Sequence, residues 1–437
     1  MKKTSTFQTI ILVVFGVFIV VGMAYFSLGA GGGGDEDATK LKSNITIWGV
    51  LPREVVTEAL SDIFQENAAK ILYEEKREGV FDRELVEALA SGVGPDMILL
   101  PQNLILRHSD KVYAIPYESM PVRTFKDRFI EEGELYLNEE GILAIPVTID
   151  PMVMYWNRDI FSAAGVSMVP EYWDEFYKLA NKITTKDNQS NILRSTISFG
   201  EFQNVVHAKE ILSMLIMQAG NPITEKSAVA GKGVKSVISD MSGYDISPAV
   251  SALNFYTEFS NPTKSSYSWN RSLPSSFDMF TSGDLAVYFG FASELSKIKR
   301  KNPNLNFDVA KVPQTRDASK SITFGKMQGL SILKQSKNIN TAFQVSIMFS
   351  DPKFIAKLSS SLGVPPVRRD LLSKKPADAY MTLFYDSALI SRAWLDPSPV
   401  DTNGIFKGMI ENVVSGRRMA NDAIILANTE IQKLLEQ

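Results

Sequence analysis

Between residues 44 and 100 the chain changes its apolar period four times in quick succession, which restricts the possible folds more than any other stretch. Asn44-Ile-Thr-Ile-Trp-Gly-Val50 is a short β-rich run that ends in turn residues. Residues 52–64 follow with Val55, Val56, Leu60 and Phe64 on one side of a helix. Residues 71–73 read as a second strand. Residues 81–90 read as a second helix with a stripe of Phe81, Leu85, Val86 and Leu89, stopped by Gly92 and Gly94. Pro95-Asp96-Met-Ile-Leu-Leu100 then carries a continuous apolar run, which suits a strand covered on both faces. Strand, helix, strand, helix, strand is the rhythm of an α/β lobe built on a parallel sheet.

The rest of the chain is too long for one comfortable core, so two lobes are expected. Residues 142–156 are extended, but Pro146 and Pro151 argue for two strands joined by a bend. Helical patterns at 172–183, 205–219, 248–259 and 275–280, with a buried strand at 285–289, point to a second lobe richer in helix. Strand candidates at 307–312 and 323–333 lead into helical blocks at 338–348, 352–359, 377–389, 402–415 and 420–435. The last block carries an amphipathic stripe of Ile424, Ile425, Ala427, Ile431 and Leu434. No repeat at a period of 20–50 residues is evident, which argues against a solenoid.

The N-terminus sets the compartment. Residues 9–30 carry no charge and are long enough to span a hydrocarbon core as one helix. Lysines precede them and acids follow, which favours an inside-to-outside orientation. An uncleaved anchor at 1–30 is therefore expected, with a cleaved signal peptide as the competing reading. A flexible Gly/acidic linker at 31–43 follows. On the first reading the body sits at the outer face of the cytoplasmic membrane, with the membrane itself as a partner through the helix. On the second it is secreted or periplasmic. With no cysteine there is no lipidated cysteine and no disulfide. A formal charge of −3 gives no electrostatic case for nucleic acid. Two histidines and no cysteine argue against a zinc or redox-metal site, and no cofactor is implied. A hard-cation site built from Asp and carbonyl oxygens stays open.

Several pieces, in order, carry a resemblance. They are Ile45-Thr-Ile-Trp48-Gly49; Leu89-Ala-Ser-Gly92-Val-Gly94-Pro95-Asp96; Gly141-Ile-Leu-Ala-Ile-Pro146 followed by Met154-Tyr155-Trp156-Asn157-Arg158-Asp159; Pro170-Glu-Tyr-Trp173-Asp-Glu-Phe176; Phe280-Thr-Ser-Gly283-Asp-Leu-Ala286; and Phe324-Gly325 with Gly329-Leu330. Together they resemble the extracellular solute-binding proteins of ABC importers, in the group that includes the maltose- and other sugar-binding proteins. The resemblance implies an α/β fold of the periplasmic-binding-protein-like type II, with two α/β lobes joined by hinge crossings. Lobe one would comprise 44–148 and 324–437, its C-terminal helices bracing the hinge, and lobe two 149–323. The crossings would fall near 147–151 and 313–324. The implied function is extracytoplasmic capture of a small solute, a sugar or oligosaccharide, by lobe closure and delivery to ABC transporter permease subunits. Capture of a peptide or another metabolite, sensing for a membrane receptor, and a scaffold with a degenerate cleft are the alternatives.

Sugars stack C–H patches on aromatic rings and take hydrogen bonds from amides and carboxylates. The candidate ligand residues follow from that chemistry. Trp48 closes the first strand and offers a flat face with one donor; a core Trp is the alternative. Gln102 and Asn103 lie just past the third strand, where open α/β sheets meet ligands. Asp150 lies at the first crossing, with Tyr155 and Trp156 beyond it, and one of these two points to core because strand side chains alternate. Trp269 and Arg271 occupy a Ser/Asn-rich loop. Tyr288 stands in a strand before Gly290. Phe324, Gly325, Lys326 and Gln328 form the return crossing, and Trp394 is a second aromatic platform.

Catalysis has no support. There is no P-loop, dinucleotide-binding glycine fingerprint, zinc-protease motif or nucleophile elbow. His108 and His207 read as surface residues, and no catalytic residue is assigned.

Overall fold

The computed structural model describes residues 40–227, 233–241, 243, 245–316, 318 and 320–437. The folded body is Ser43–Gln437, and Met1–Lys42 is a separate unit lying almost wholly outside the described residues. Three of the expected strands open the body: β1 (Ile45–Gly49), β2 (Ile71–Glu75) and β3 (Met97–Pro101). They pair in parallel in the order β2-β1-β3, and the helices Arg53–Phe64 and Glu78–Ala90 make the crossovers. Met97, Ile98, Leu99 and Leu100 are all buried, as a strand covered on both faces requires. A short β4 (Val112–Tyr113) follows.

β5 (Ile145–Asn157) is one continuous strand of 13 residues, not two joined by a bend. Its prolines are tolerated because of what lies opposite them. Pro146 faces Gly329 beside a register shift, where an irregular ladder accommodates its missing N–H, and Pro151 faces Gly325. β6 (Thr185–Lys186), β7 (Ile192–Ile197), the hairpin β8 (Thr224–Lys226) and β9 (Val234–Ser236), β10 (Leu285–Phe291) and β11 (Phe307–Ala310) belong to the second half. β12 (Thr323–Leu333) returns to the first half, and β13 (Ser391–Arg392) pairs with its start.

Two lobes emerge from this order. In the long path β2-β1-β3-β12-β5-β10-β7-β6, β5 and β12 are the strands shared between halves. Residues 145–151 of β5 pair with β12, and residues 152–156 pair with β10. β12 in turn pairs with β3 over Gln328 to Ile332. The backbone thus crosses twice at one level, near Asp150 to Met152 and near Phe324 to Lys326.

The last two helices, Pro399–Val414 and Ala420–Leu435, pack on the helices Ala208–Gln218 and Pro248–Glu258 of the second half, not on the first half as the expected division of 324–437 has it. Phe406, Ile410, Ile424 and Ile431 are fully or almost fully buried in the same core as Leu253 and Tyr256. Each such side chain contributes about 1.5–3 kcal/mol by leaving water. Ile425, counted in the expected stripe, points out and is exposed.

The expected N-terminal transmembrane or signal helix is not found among the described residues. A span needs about 20 apolar residues in one helix. Among the described residues no helix is long and apolar enough to cross a membrane. The expected segment at 1–30 lies outside them. The described fold thus holds no transmembrane helix, and membrane partnership and anchoring through one are not carried further.

Candidate ligand cleft at the crossings

A cavity of about 130 Å³ lies against the crossing of β12. The end of β3 supplies Pro101, Gln102 and Asn103. The start of the helix Glu78–Ala90 supplies Glu78. The first turn of the helix Ala208–Gln218 supplies Lys209 and Glu210, β12 supplies Phe324, Lys326 and Gln328, and the loop after β13 supplies Trp394 and Asp396. The position beyond the carboxyl end of a parallel strand is where open α/β sheets hold ligands.

Each wall is fixed by identifiable contacts. Trp394 is 5% exposed. Its ring stacks on Phe406 at 6.0 Å between centroids, and its indole N–H donates to Ser213 Oγ at 3.3 Å. Lys209 Nζ lies 5.3 Å from the same ring and donates to Asp396 Oδ2 and Thr402 Oγ1, both at 2.6 Å. Burial pushes the Asp396 carboxyl up against the pull of Lys209. Lys326 Nζ sits 3.9 Å from Glu210 Oε1 and 4.3 Å from the centroid of Phe291. Burial alone would raise the Glu210 carboxyl, but Lys326, His207 and Lys209 outweigh it and hold the group below its ordinary value. The chain enters the helix of Lys209 through His207 in the left-handed region, at φ 63°. The His207 imidazole, 2.7 Å from Glu294 Oε1, ties that turn down.

Gln102 lines the cavity, but its amide is already committed. Nε2 donates to Gly325 O at 3.3 Å, and Oε1 accepts from Met327 N at 2.9 Å. It clips the end of β3 to the return crossing. Gln328 Oε1 is buried without a hydrogen-bond partner.

Of the residues singled out from the sequence, Gln102, Asn103, Phe324, Gln328 and Trp394 therefore meet around one cavity. Gly325 and Asp150 lie beside it at the crossings, in adjacent strand pairs. Asp150 Oδ1 accepts from Ser293 N at 3.0 Å, and burial pushes its carboxyl up to about 6. The others lie elsewhere. Tyr155 is in the core, its hydroxyl donating to Phe291 O at 2.7 Å, and Tyr288 donates to Glu294 Oε2 at 2.7 Å. Trp269 is completely buried with its N–H on Asn204 Oδ1. Trp156 packs edge-on against Phe161. Arg271 is exposed and paired with Glu201. Trp48 is half-buried, with Lys76 Nζ 3.6 Å from its ring centroid.

Sequence reasoning missed Val50, Glu78, Lys209, Glu210 and Asp396. The only local signal is a Lys-Glu pair opening an apolar helix after His207. Neither histidine is a free surface residue either. His108 is fully buried with Nε2 2.8 Å from Asp82 Oδ1, and burial lowers its affinity for a proton. Among the described residues no group of His, Cys, Asp or Glu is arranged to hold a metal.

The arrangement can bind but has no reacting pair. It offers one rigid aromatic wall, amides, the pairs Lys209–Asp396 and Lys326–Glu210, and the carboxylate of Glu78 at the rim. The paired groups give strong directional hydrogen bonds to a polar guest without leaving a bare charge.

Known proteins resemble this chain in sequence, and others in fold. A Brucella abortus relative, named as a binding protein with no ligand in its name, is 21% identical over 301 residues, 66% of each chain. The chain thus spans just under two thirds of that curated relative's length. The diacetylchitobiose binding protein DasA of Streptomyces coelicolor is 20% identical over 377 residues, covering 82% of this chain and 83% of its own. The crystal structure of the cyclic alpha-maltosyl-1,6-maltose binding protein from Arthrobacter globiformis superposes with a TM-score of 0.72 at 15% identity, over 90% of this chain and 99% of that one. Residues 82–384, well over half of the sequence, match the family of the bacterial extracellular solute-binding proteins, and the chain belongs to that family.

Proposed function

We propose that the solute is a sugar or oligosaccharide, held in the cleft at the crossings and delivered to the permease of an ABC transporter. The observation that carries this reading is Trp394. It is a flat ring backed by Phe406 and braced by Ser213 and Lys209, at the edge of a cavity whose polar groups are mostly amides and paired charges. A ring fixed before the ligand arrives loses little freedom on binding, and its face suits the C–H patches of a pyranose. DasA and the Arthrobacter globiformis protein, each named for an oligosaccharide, support the same class. The family is defined by solute capture, so no reaction is assigned.

In this reading lobe one is 44–148 with the return from 324, and lobe two is 149–323 with the last two helices added to it. A ligand touching Lys209 on one side and Asn103 on the other favours the closed arrangement by its differential contacts. Isothermal titration with diacetylchitobiose, maltotriose and a set of short peptides tests the class. Saturable binding of a saccharide, weakened at least tenfold by Trp394→Phe, is expected. Binding of peptides and of no saccharide would end the sugar reading.

A further inference from the structure

Behind the return crossing sits an acid that nothing pairs. Glu132 is 2% exposed, in the short 3-10 turn Glu131–Tyr136, and neither of its carboxyl oxygens has a hydrogen-bond partner. Its Oε2 occupies the space into which a Cβ on Gly325 would project, and Ile149 of β5 bounds the same space. The acid is thus packed where the two crossings lie side by side, on the opposite face of β12 from the ligand cavity.

The groups around it do not neutralise it. Arg392, from β13, is turned to the neighbouring Glu131. The Tyr136 hydroxyl donates to Leu100 O at 2.7 Å. Lys126, from the helix Val122–Arg128 packed against the turn, goes to Glu134 at 2.6 Å. β12 and β5 bring Gly325 and Ile149, neither of them charged, against it. Burial outweighs the distant pull of Arg392 and pushes the carboxyl up to about 8, so the group carries its proton at neutral pH. A buried polar group left unsatisfied calls for a reason, and here the neutral acid fits only while this arrangement of the crossings persists.

We propose that Glu132 is a proton-dependent latch on the hinge: protonated, it packs on Gly325 and keeps the crossings in the arrangement described here; ionised, it is driven out towards water or Arg392 and frees the lobes to reorient. The latch touches no ligand, so it acts on capture through the lobe equilibrium and does not depend on the solute being a sugar. The sign follows from the raised proton affinity: the latched arrangement is fully favoured at low pH and loses population as pH rises through about 8.

Small-angle X-ray scattering of the ligand-free protein tests this between about pH 6 and about pH 9.5. The wild-type profile is expected to match the present arrangement at the lower pH and depart from it at the higher, with a midpoint near 8. Glu132→Gln and Glu132→Leu, neutral at every pH, are expected to show at least a fivefold smaller change. Hydrogen exchange of residues 145–151 and 323–329 in the wild-type protein, corrected for intrinsic rates, is expected to accelerate through the same midpoint. A wild-type profile identical at both pH values overturns the latch, as do variants that change as much as wild type. Unchanged exchange protection overturns it even where neither variant folds.

Discussion

Replacing Asp396 by alanine strands a buried ammonium. Asp396 is 3% exposed and accepts from Lys209 Nζ at 2.6 Å, from Thr402 Oγ1 at 2.8 Å and from Ser398 N at 3.1 Å. The Lys209 side chain is only 12% exposed. Removing one partner of a buried pair typically costs about 3–5 kcal/mol. Lys209 would keep Thr402 Oγ1 at 2.6 Å and Pro399 O at 3.5 Å as acceptors, which places the loss at the lower end, about 3 kcal/mol. At about 2 °C per kcal/mol, the large-domain end of the usual range, the midpoint falls by about 6 °C. Urea and thermal melts followed by far-UV circular dichroism measure it. Lys209→Met combined with Asp396→Ala removes both charges, so the double variant is expected to lose less than the two single variants summed, with a coupling of about 2 kcal/mol in the cycle. High salt leaves the effect nearly unchanged because the pair is screened from solvent ions. A loss below about 1 kcal/mol for Asp396→Ala, or strictly additive changes in the cycle, would refute the view that this pair is a buried brace for the Trp394 wall.

Gly325→Ala drives a methyl group into Glu132 and Ile149, and the overpacking is expected to cost about 1–3 kcal/mol in urea melts. Trp269→Ala is expected to cost about 3–5 kcal/mol of stability and to act on binding only through folding, since the ring is wholly internal. Trp48→Ala, in contrast, should leave saccharide affinity within about twofold, because the ring is spent on Lys76 away from the cavity. For Asp150 the raised carboxyl gives stability that is full below its ordinary value and lost as pH rises through about 6. Asp150→Asn should therefore flatten the stability profile between about pH 4 and pH 7.

The lobes were more legible than the cleft, and for a physical reason. Period and burial go together in the first strands: Ile45 and Ile47 point to core, and Met97 to Leu100 are covered on both faces. A cleft is instead made by residues far apart in sequence. Lys209 meets Asp396 across 187 positions, and nothing local to either foretells it. Aromatic side chains mislead for the same reason. Trp269 in its polar loop looks like a ligand platform, yet the loop folds back so that its N–H reaches Asn204. Tyr155 was one of a pair of which alternation sends one inward, and it is the inward one. The charged residues of the cavity are likewise silent in the sequence: Lys209 is paired with Asp396 and Glu210 with Lys326 only through the fold, and Glu78 joins them from a separate helix.

That pairing, and the strand that shares in it, explain how a small contact can turn a large lobe. Phe324, Lys326 and Gln328 line the cavity at alternate positions of β12. Between them Gly325 O is held by Gln102, and the other side of Gly325 meets Glu132. One short stretch of backbone therefore carries cavity-lining side chains on one face and the Glu132 contact on the other. A change in its twist cannot move one set without moving the other. In the proposed function, binding energy gained at Lys326 or Gln328 would be expressed directly as a preference among lobe orientations, with no relay of side chains in between. A fold in which the ligand touched only helices flanking the sheet would need such a relay, and its closure would depend on packing far from the guest.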